Sequence, residues 1–329
     1  MKYVSILVPE NAVIEAIADP FYMFEVVNQV LESSGKPPFF KMQLVGLSKE
    51  VKLNGGLFSV RTDFLLKDVK RSDLIIVPSL NGDIKKALEL NKGLVPWIIE
   101  QYRNGAELAS LCVGSFLLAY TGLLDGKKCS THWNAINEFR VMFPNVKVED
   151  GNIITEEDNI YSSGGANSYW NLLVYLVEKY IDRKTAILAA KLFAIDINRE
   201  GQSQFMVFQG QKQHTDNVIK QAQEFIEMNF QNKITVGELA DKFAIGRRSF
   251  ERRFKKATNN TTVEYMHRVK MEAAKRSFET SRKSITEVMF DIGYSDPKAF
   301  RNTFRRIAGL TPIEYRNKYN KEAAGLMNK

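Results

Sequence analysis

The chain has 329 residues, of which 44% are apolar and 26% charged, and it carries a net charge of +8. This composition excludes the disordered and fibrous classes, the length calls for two or three domains, and no run approaches the roughly 18 uninterrupted apolar residues of a membrane span. Cys112 and Cys129 are its two cysteines, too few for a secreted disulfide framework or a four-cysteine zinc site, so a reducing cytoplasm is the expected compartment.

The start, MKYVSILVPENAV, sets one lysine before a short alternating apolar run and then meets Pro9, Glu10 and Asn11, without a small-residue cleavage site. It predicts a first strand. A helical pattern follows in FYMFEVVNQVLESSG, then strand-like FKMQLVGLS and DLIIVPS, helical VPWIIEQYRNG and strand-like AELASLC. Strands alternating with helices predict a parallel sheet covered on its faces by helices. Cys112 comes directly after an apolar strand and before Gly114-Ser115 and an apolar helix, which is the shape of a nucleophile elbow. A helix N-terminus at that point would lower the thiol pKa, and His132, twenty residues on beside Trp133, is the candidate partner. Cys129 sits in a lysine-flanked turn that could expose and acidify it, although a lone cysteine is more often a buried small residue. No disulfide with Cys112 is expected.

Further strands are expected in VKVED, NIITEED and IYSSGG, after which Gly164-Gly165 opens a long apolar helix, SYWNLLVYLVEKYI, and TAILAAKLFAI forms another. Trp97, Trp133 and Trp170 are expected in the core or a pocket wall. Residues 198–215 turn Gln-, Gly- and Ser-rich, and a fresh helical pattern begins at Asp216. The expected division is therefore an α/β domain over 1–208, a linker over 209–215 and an all-α domain over 216–329.

Charge divides at the same place. Before Asp216 there are 23 Lys and Arg against 24 Asp and Glu; from Asp216 onward the figures are 23 and 14. The whole positive excess belongs to the last third, which would attract a polyanion such as nucleic acid. Within it, VGELADKF forms a short helix with Thr235 as N-cap and Glu238 completing a capping box. A turn at Ala244-Ile245-Gly246 leads into an arginine-rich helix. Phe250 and Phe254 form its buried stripe, while Arg248, Glu251, Arg252 and Lys255 fall on the wet face. About fifty residues later the layout recurs, with Ser284 and Glu287, a turn at Gly293-Tyr294, Phe300 and Phe304 inside, and Lys298, Arg301, Asn302 and Arg305 outside. The helix VEYMHRVKMEAAKRSFETS joins the two copies. Two helix-turn-helix units with long donors on their second helices are suited to bases and phosphates in adjacent major grooves. Asp216, Glu224 and Glu227 read as helix-surface charge, and His214 and His267 as solvated or packed residues. No cluster has metal-ligand spacing, and no cofactor is expected.

The segment from Thr235 to Tyr319 resembles the AraC/XylS DNA-binding domain through Ala240, Arg252-Arg253-Phe254, the spacer residues Tyr265, Arg268 and Ala273-Ala274, and the run IGYSDPKAFRNTFRRIAGLTPIEYR. The resemblance implies base-facing roles for Arg248, Glu251 and Arg252, and for Pro297, Lys298, Arg301 and Asn302. Residues 2–208, through the Cys112 elbow, His132, SSGGANSYWNLLVYLVEKY and REGQSQF, resemble the ThiJ/PfpI, class-I glutamine-amidotransferase-like domain with its flavodoxin-like parallel sheet. Three positions depart from that pattern: Ala16, with Glu15 adjacent, stands where an acid is expected; Val113 replaces a histidine; and Asn171 replaces an aspartate. A ligand or redox pocket, an inert scaffold and a working catalyst remain open for this domain. The expectation is a cytoplasmic transcription regulator that binds promoter DNA as a homodimer, senses a small molecule or dimerises through the α/β domain, and contacts RNA polymerase if it activates. The alternative is a cysteine-dependent hydrolase or deglycase using Cys112 and His132.

Overall fold

The computed structural model describes residues 1–197, 201–208, 210–212 and 214–320. Gln209 and Gln213 of the expected linker, and Arg199 and Glu200 of the REGQSQF run, lie outside the described residues. The chain divides into two compact units, Met1–Gln202 and Ser203–Lys329.

In the first unit, β1 (Lys2–Leu7), α1 (Glu15–Ser33) and β2 (Phe40–Gly46) are followed by a hairpin, β3 (Glu50–Leu53) and β4 (Phe58–Arg61), then β5 (Phe64–Leu65) and β6 (Leu74–Val77). Next come α2 (Ile84–Leu90), α3 (Val95–Arg103), β7 (Glu107–Leu111), α4 (Ser115–Tyr120), β8 (Lys128–Cys129), α5 (Ile136–Met142) and β9 (Lys147–Val148). β10 (Ile154–Glu157), β11 (Ile160–Ser163), α6 (Tyr169–Tyr180) and α7 (Arg183–Leu192) complete it. Seven strands form one sheet in the order β10-β11-β7-β6-β1-β2-β5, parallel except for β10, which runs antiparallel to β11. The expected parallel sheet is therefore present.

Its central strands are buried on both faces, which is why they read as unbroken apolar runs. Leu74 and Ile76 of β6 face α1, α6 and α7, whereas Ile75 and Val77 face α2 to α5. Trp97 belongs to the second of these layers and Trp170 packs against the first. The first helix begins at Glu15, a turn and a half before the helical pattern recognised in the sequence, because Pro20 lies inside it. Proline removes an N–H from the helix interior and ordinarily marks a boundary, which hid the first turn. The short hairpin β3–β4 and the helices α2 and α5 were not anticipated.

The second unit is helical: α8 (Asn217–Met228), α9 (Val236–Lys242), α10 (Arg247–Thr258), α11 (Thr262–Thr280), α12 (Ile285–Asp291), α13 (Pro297–Ala308) and α14 (Pro312–Tyr319). It holds two apolar cores strung along α11. Tyr265 and Val269 join Phe250 and Phe254 in one; Met271, Ala274 and Phe278 join Phe300 and Phe304 in the other. The repeat extends beyond the two paired helices. Thr261 caps α11 and Thr311 caps α14, and fifty residues apart Tyr265 and Tyr315 are both buried, donating their hydroxyls to Glu227 and Glu279. Each half is thus a small bundle closed by a tyrosine-to-glutamate hydrogen bond.

Phe208, expected to close the α/β domain, packs its ring 5.1 Å from Tyr265, and its N–H donates to Glu272 at 3.1 Å. Glu272 in turn holds Lys275 at 3.0 Å, and Lys275 donates to the carbonyl of Met206. This buried ion pair satisfies the backbone of the segment before the helices. Glu227, read as surface charge, accepts from both Tyr265 and Lys212, and Asp216 is the N-cap of α8.

Candidate nucleic-acid interface and cysteine elbow

The turn between α9 and α10 and the turn between α12 and α13 have the same backbone. In the first, Ala244 takes the left-handed conformation at φ 51°, its N–H bonds Asp241 O and that of Ile245 bonds Ala240 O, each at 3.0 Å. In the second, Gly293 takes that conformation at φ 75°, its N–H bonds Phe290 O at 2.9 Å, and that of Tyr294 bonds Met289 O at 3.0 Å. Both close the preceding helix by the paired bonds of a Schellman turn. Gly246, by contrast, is an ordinary N-cap at φ −57°.

These turns aim α10 and α13 with matching faces. Phe250, Phe254 and Thr258 are buried on α10, and Phe300, Phe304 and Ala308 on α13. Arg248, Glu251, Arg252 and Lys255, and Lys298, Arg301, Asn302 and Arg305, are all exposed. Glu251 lies 3.7 Å from Arg247, an exposed helix pair that leaves its second oxygen open as an acceptor. Pro297 occupies the first position of α13, and the Asp296 carboxylate caps the helix by accepting from the N–H groups of Lys298 and Ala299. The proline therefore shapes the start of the helix and presents no donor.

Neighbouring arginines have a different task. Arg253 makes a two-point contact with Asp216, at 2.9 Å from Nε and 2.7 Å from Nη2, tying α10 to the start of α8 and holding the Asp216 carboxyl below its usual range. Arg306 bonds Glu264 at 3.0 Å, tying α13 to α11. Of the adjacent pairs Arg252-Arg253 and Arg305-Arg306, one member holds the scaffold and the other faces outward. The adjacency alone could not assign them; the 3.6-residue period does once Phe254 and Phe304 are recognised as core.

In the first unit, β1, β6 and β7 run parallel and bring their C-terminal ends together. There Cys112 adopts φ 55°, the strained conformation expected of an elbow. The turn is tight. A Cβ on Gly114 would stand 2.4 Å from Val77 O and 2.5 Å from Pro78 O, and Ser115 Oγ bridges Cys112 O at 3.0 Å and Thr131 Oγ1 at 2.8 Å. The thiol is 5% exposed, and burial pushes its pKa up despite hydrogen bonds with Ser79 and the Val113 N–H. The thiol is therefore raised, not lowered as expected, because desolvation of a thiolate outweighs the hydrogen bonds it would receive.

His132 does not join Cys112 by any hydrogen bond among the described residues. Its Nδ1 accepts the Asn134 N–H at 3.2 Å, its ring stands 5.3 Å from that of Trp133, and burial lowers its pKa, favouring a neutral imidazole. The loop carrying it is clamped by Gln202, whose amide donates to Thr131 O and Asn152 O and accepts from Trp133 N–H. Ala16 is buried in α1 and Glu15 exposed. Asp19, one turn on in α1, accepts from Tyr169 Oη at 2.5 Å. Its pKa is raised by burial, and Tyr169 also lies within the field of Cys112. Sequence reading missed this pair because Asp19 and Tyr169 are 150 residues apart. Asn171 donates to Asp196 O at 2.7 Å, an anchor for the end of α7. Cys129 is completely buried and its thiol is pushed up to about 12, so the exposed, acidic alternative is not realised.

Two family models match separate parts of the chain, the DJ-1/PfpI family over residues 22–179 and a helix-turn-helix domain over residues 239–318. The HTH-type transcriptional regulator CdhR of Pseudomonas aeruginosa is 25% identical over 78% of this chain and 76% of its own length. The HTH-type transcriptional regulator ArgR of the same organism is 27% identical over 65% of each chain. A solved structure of a candidate transcriptional regulator from Vibrio parahaemolyticus matches 58% of this chain and 98% of its own at 22% identity, with a TM-score of 0.52, which bears on the fold alone. No helix among the described residues is long and apolar enough to cross a membrane.

Proposed function

We propose, for a chain whose two parts match the DJ-1/PfpI family and a helix-turn-helix domain, the function of a cytoplasmic transcription regulator of the AraC type that reads two adjacent major grooves of promoter DNA. The carrying observation is the duplicated unit itself. Two second helices are built alike on phenylalanine cores and present long cationic donors outward, while Arg253 and Arg306 are drawn back to hold the scaffold. Arg252 and Arg301 are assigned to base edges, with Arg248, Lys298 and Asn302 beside them. Lys255 and Arg305, one turn further along, are assigned to phosphates. Glu251 can accept from a cytosine amino group.

The α/β unit serves as a sensing or dimerisation module without catalysis. The raised Cys112 thiol and the separate hydrogen bonding of His132 support that reading, as do the regulator names of its relatives. The left-handed elbow at Cys112 is what favours the alternative of a cysteine-dependent hydrolase or deglycase, and Cys112-dependent turnover of small amides or carbonyl adducts would establish it. Exposed Leu188 and Leu192 on α7 suit pairing with a second copy, and a twofold dimer is the commonest closed oligomer. A small-molecule effector, and RNA polymerase in the case of an activator, complete the expected partners.

The test is selection of bound duplexes from a random pool by the full chain. Enrichment of two sequence blocks about one helical turn apart is expected. Arg252→Ala and Arg301→Ala should each weaken binding to the selected duplex by about 1–3 kcal/mol and relax one block. Undiminished binding by both variants would remove the assignment of α10 and α13 as reading helices.

A further inference from the structure

Within the helical unit lies a cavity of about 400 Å³. One side is the segment that leads into α9, with Phe230, Lys233 and Ile234; another is α11, with Met266, His267 and Lys270; a third is the second turn, with Gly293 and Tyr294. Its wall is therefore drawn from both halves of the duplicated unit. That volume falls in the range of small-molecule sites, which combine apolar walls with a few convergent polar groups. Asn232, Thr235 and Tyr294 are uncharged, and the ionisable nitrogen groups are all bases. Lys233, His267 and Lys270 line the cavity, and no aspartate or glutamate does.

Lys270 is the telling residue. Its Nζ donates to Ile292 O at 3.0 Å, reaches Asn232 O at 3.5 Å and stands 5.6 Å from the centre of the Tyr294 ring, so it spans the two halves through carbonyls and an aromatic face. No carboxylate pairs with it among the described residues. Partial burial lowers its pKa, the expected response of a half-buried ammonium. His267 makes a second bridge, with Nδ1 2.6 Å from Tyr294 Oη. Charged groups inside proteins are ordinarily paired, and this one borders a largely apolar cavity.

We infer that the cavity binds a small organic anion with an aromatic or branched apolar body, its carboxylate beside Lys270 and Lys233 and its body against Phe230, Ile234 and Met266. The site is separate from the Cys112 region and lies between the elements that set the two reading helices. An occupant touches both halves at once. On the DNA-reading function proposed above, it therefore changes affinity for a two-block duplex, and by linkage that duplex changes affinity for the occupant.

The experiment is equilibrium dialysis of 2-naphthoate against the full chain without DNA, with 2-naphthamide as the uncharged isostere. One saturable site is expected, with the amide bound about tenfold more weakly, as loss of a charge-assisted hydrogen bond implies. Met266→Trp fills the space. Val263→Asp places a like charge at the rim, where Val263 is 47% exposed and the fold tolerates it. Both should weaken naphthoate by about tenfold or more. Failure to saturate, equal binding of the amide, or binding that both variants leave unchanged overturns the site. If Lys233→Ala instead reduces duplex affinity and its salt dependence while naphthoate does not bind, the cleft is a surface for the DNA backbone. Because the dialysis contains no DNA, its result is independent of the reading-helix assignment. In a second stage, saturating naphthoate should shift the affinity of the parent for a two-block duplex and leave Met266→Trp unaffected; an unshifted parent removes the coupling.

Discussion

The two halves of the helical unit solve one backbone problem with different residues. Each must reverse direction through a left-handed residue between its paired helices, and the first does so with Ala244, the second with Gly293. The reason lies in their surroundings. A Cβ on Gly293 would stand 2.1 Å from Gln231 O and 3.0 Å from Lys270 Nζ, so the second turn is pressed against the segment leading into the first half. In the first turn Ala244 is exposed and carries a methyl group in the same left-handed conformation. Anchoring differs as well. α10 is held by Arg253 to the capping aspartate of α8, and α13 by Arg306 to α11. A repeat in sequence is therefore not a repeat in tolerance: the second half is constrained by the first.

Gly293→Ala should give the largest effect. The left-handed alanine costs about 1 kcal/mol, and displacing Gln231 adds ~1–3 kcal/mol of the kind seen on overpacking. Thermal or denaturant unfolding of the full chain reads it, and a loss below ~0.5 kcal/mol would mean that the turn and Gln231 are not in contact, given the usual scale of surface substitutions. Asp216→Ala is intermediate. It removes a helix cap worth about 1 kcal/mol and a partly exposed ion pair worth up to about 1 kcal/mol. The sign with pH is fixed by the lowered carboxyl pKa of Asp216. Its contribution is complete above the unfolded value of about 3.9 and is lost as pH falls through the lower folded value. The gap between parent and variant should therefore close below about pH 4; a gap constant into strong acid would show that the carboxylate is not its source. Ala244→Gly is the smallest and has the opposite sign. Relief of left-handed strain outweighs the added freedom of the unfolded chain by about 0.5 kcal/mol. A destabilised Ala244→Gly protein would show that the two turns differ in more than their contacts.

The helical unit was the more legible region. Thr235 with Glu238 and Ser284 with Glu287 signal helix starts through contacts three residues apart, and both capping boxes form. The period of Phe250 and Phe254, and of Phe300 and Phe304, separates buried from wet faces without knowledge of the remaining chain. The parallel sheet was legible for a similar reason, since apolar strands alternate with helical patterns. Its site was not. Asp19 meets Tyr169, and Gln202 clamps the loop of His132, through contacts that no local period records. Composition placed the change of unit in the polar stretch 198–215, but the destination of Phe208, whose ring packs on Tyr265, is a long-range contact that composition does not record.

Sequence alone determined the two kinds of unit, the duplicated helical pairs, their outward cations and the elbow at Cys112, because each depends on short-range periodicity, capping or turn chemistry. Tertiary structure decided which carboxylates Arg253 and Arg306 hold, Asp216 and Glu264. It also set the protonation tendency of Cys112, gave His132 a hydrogen bond to Asn134, and placed a lysine with no carboxylate partner among the described residues beside an apolar cavity. Those outcomes depend on desolvation and on partners distant in the chain, and burial is a property of the packed whole.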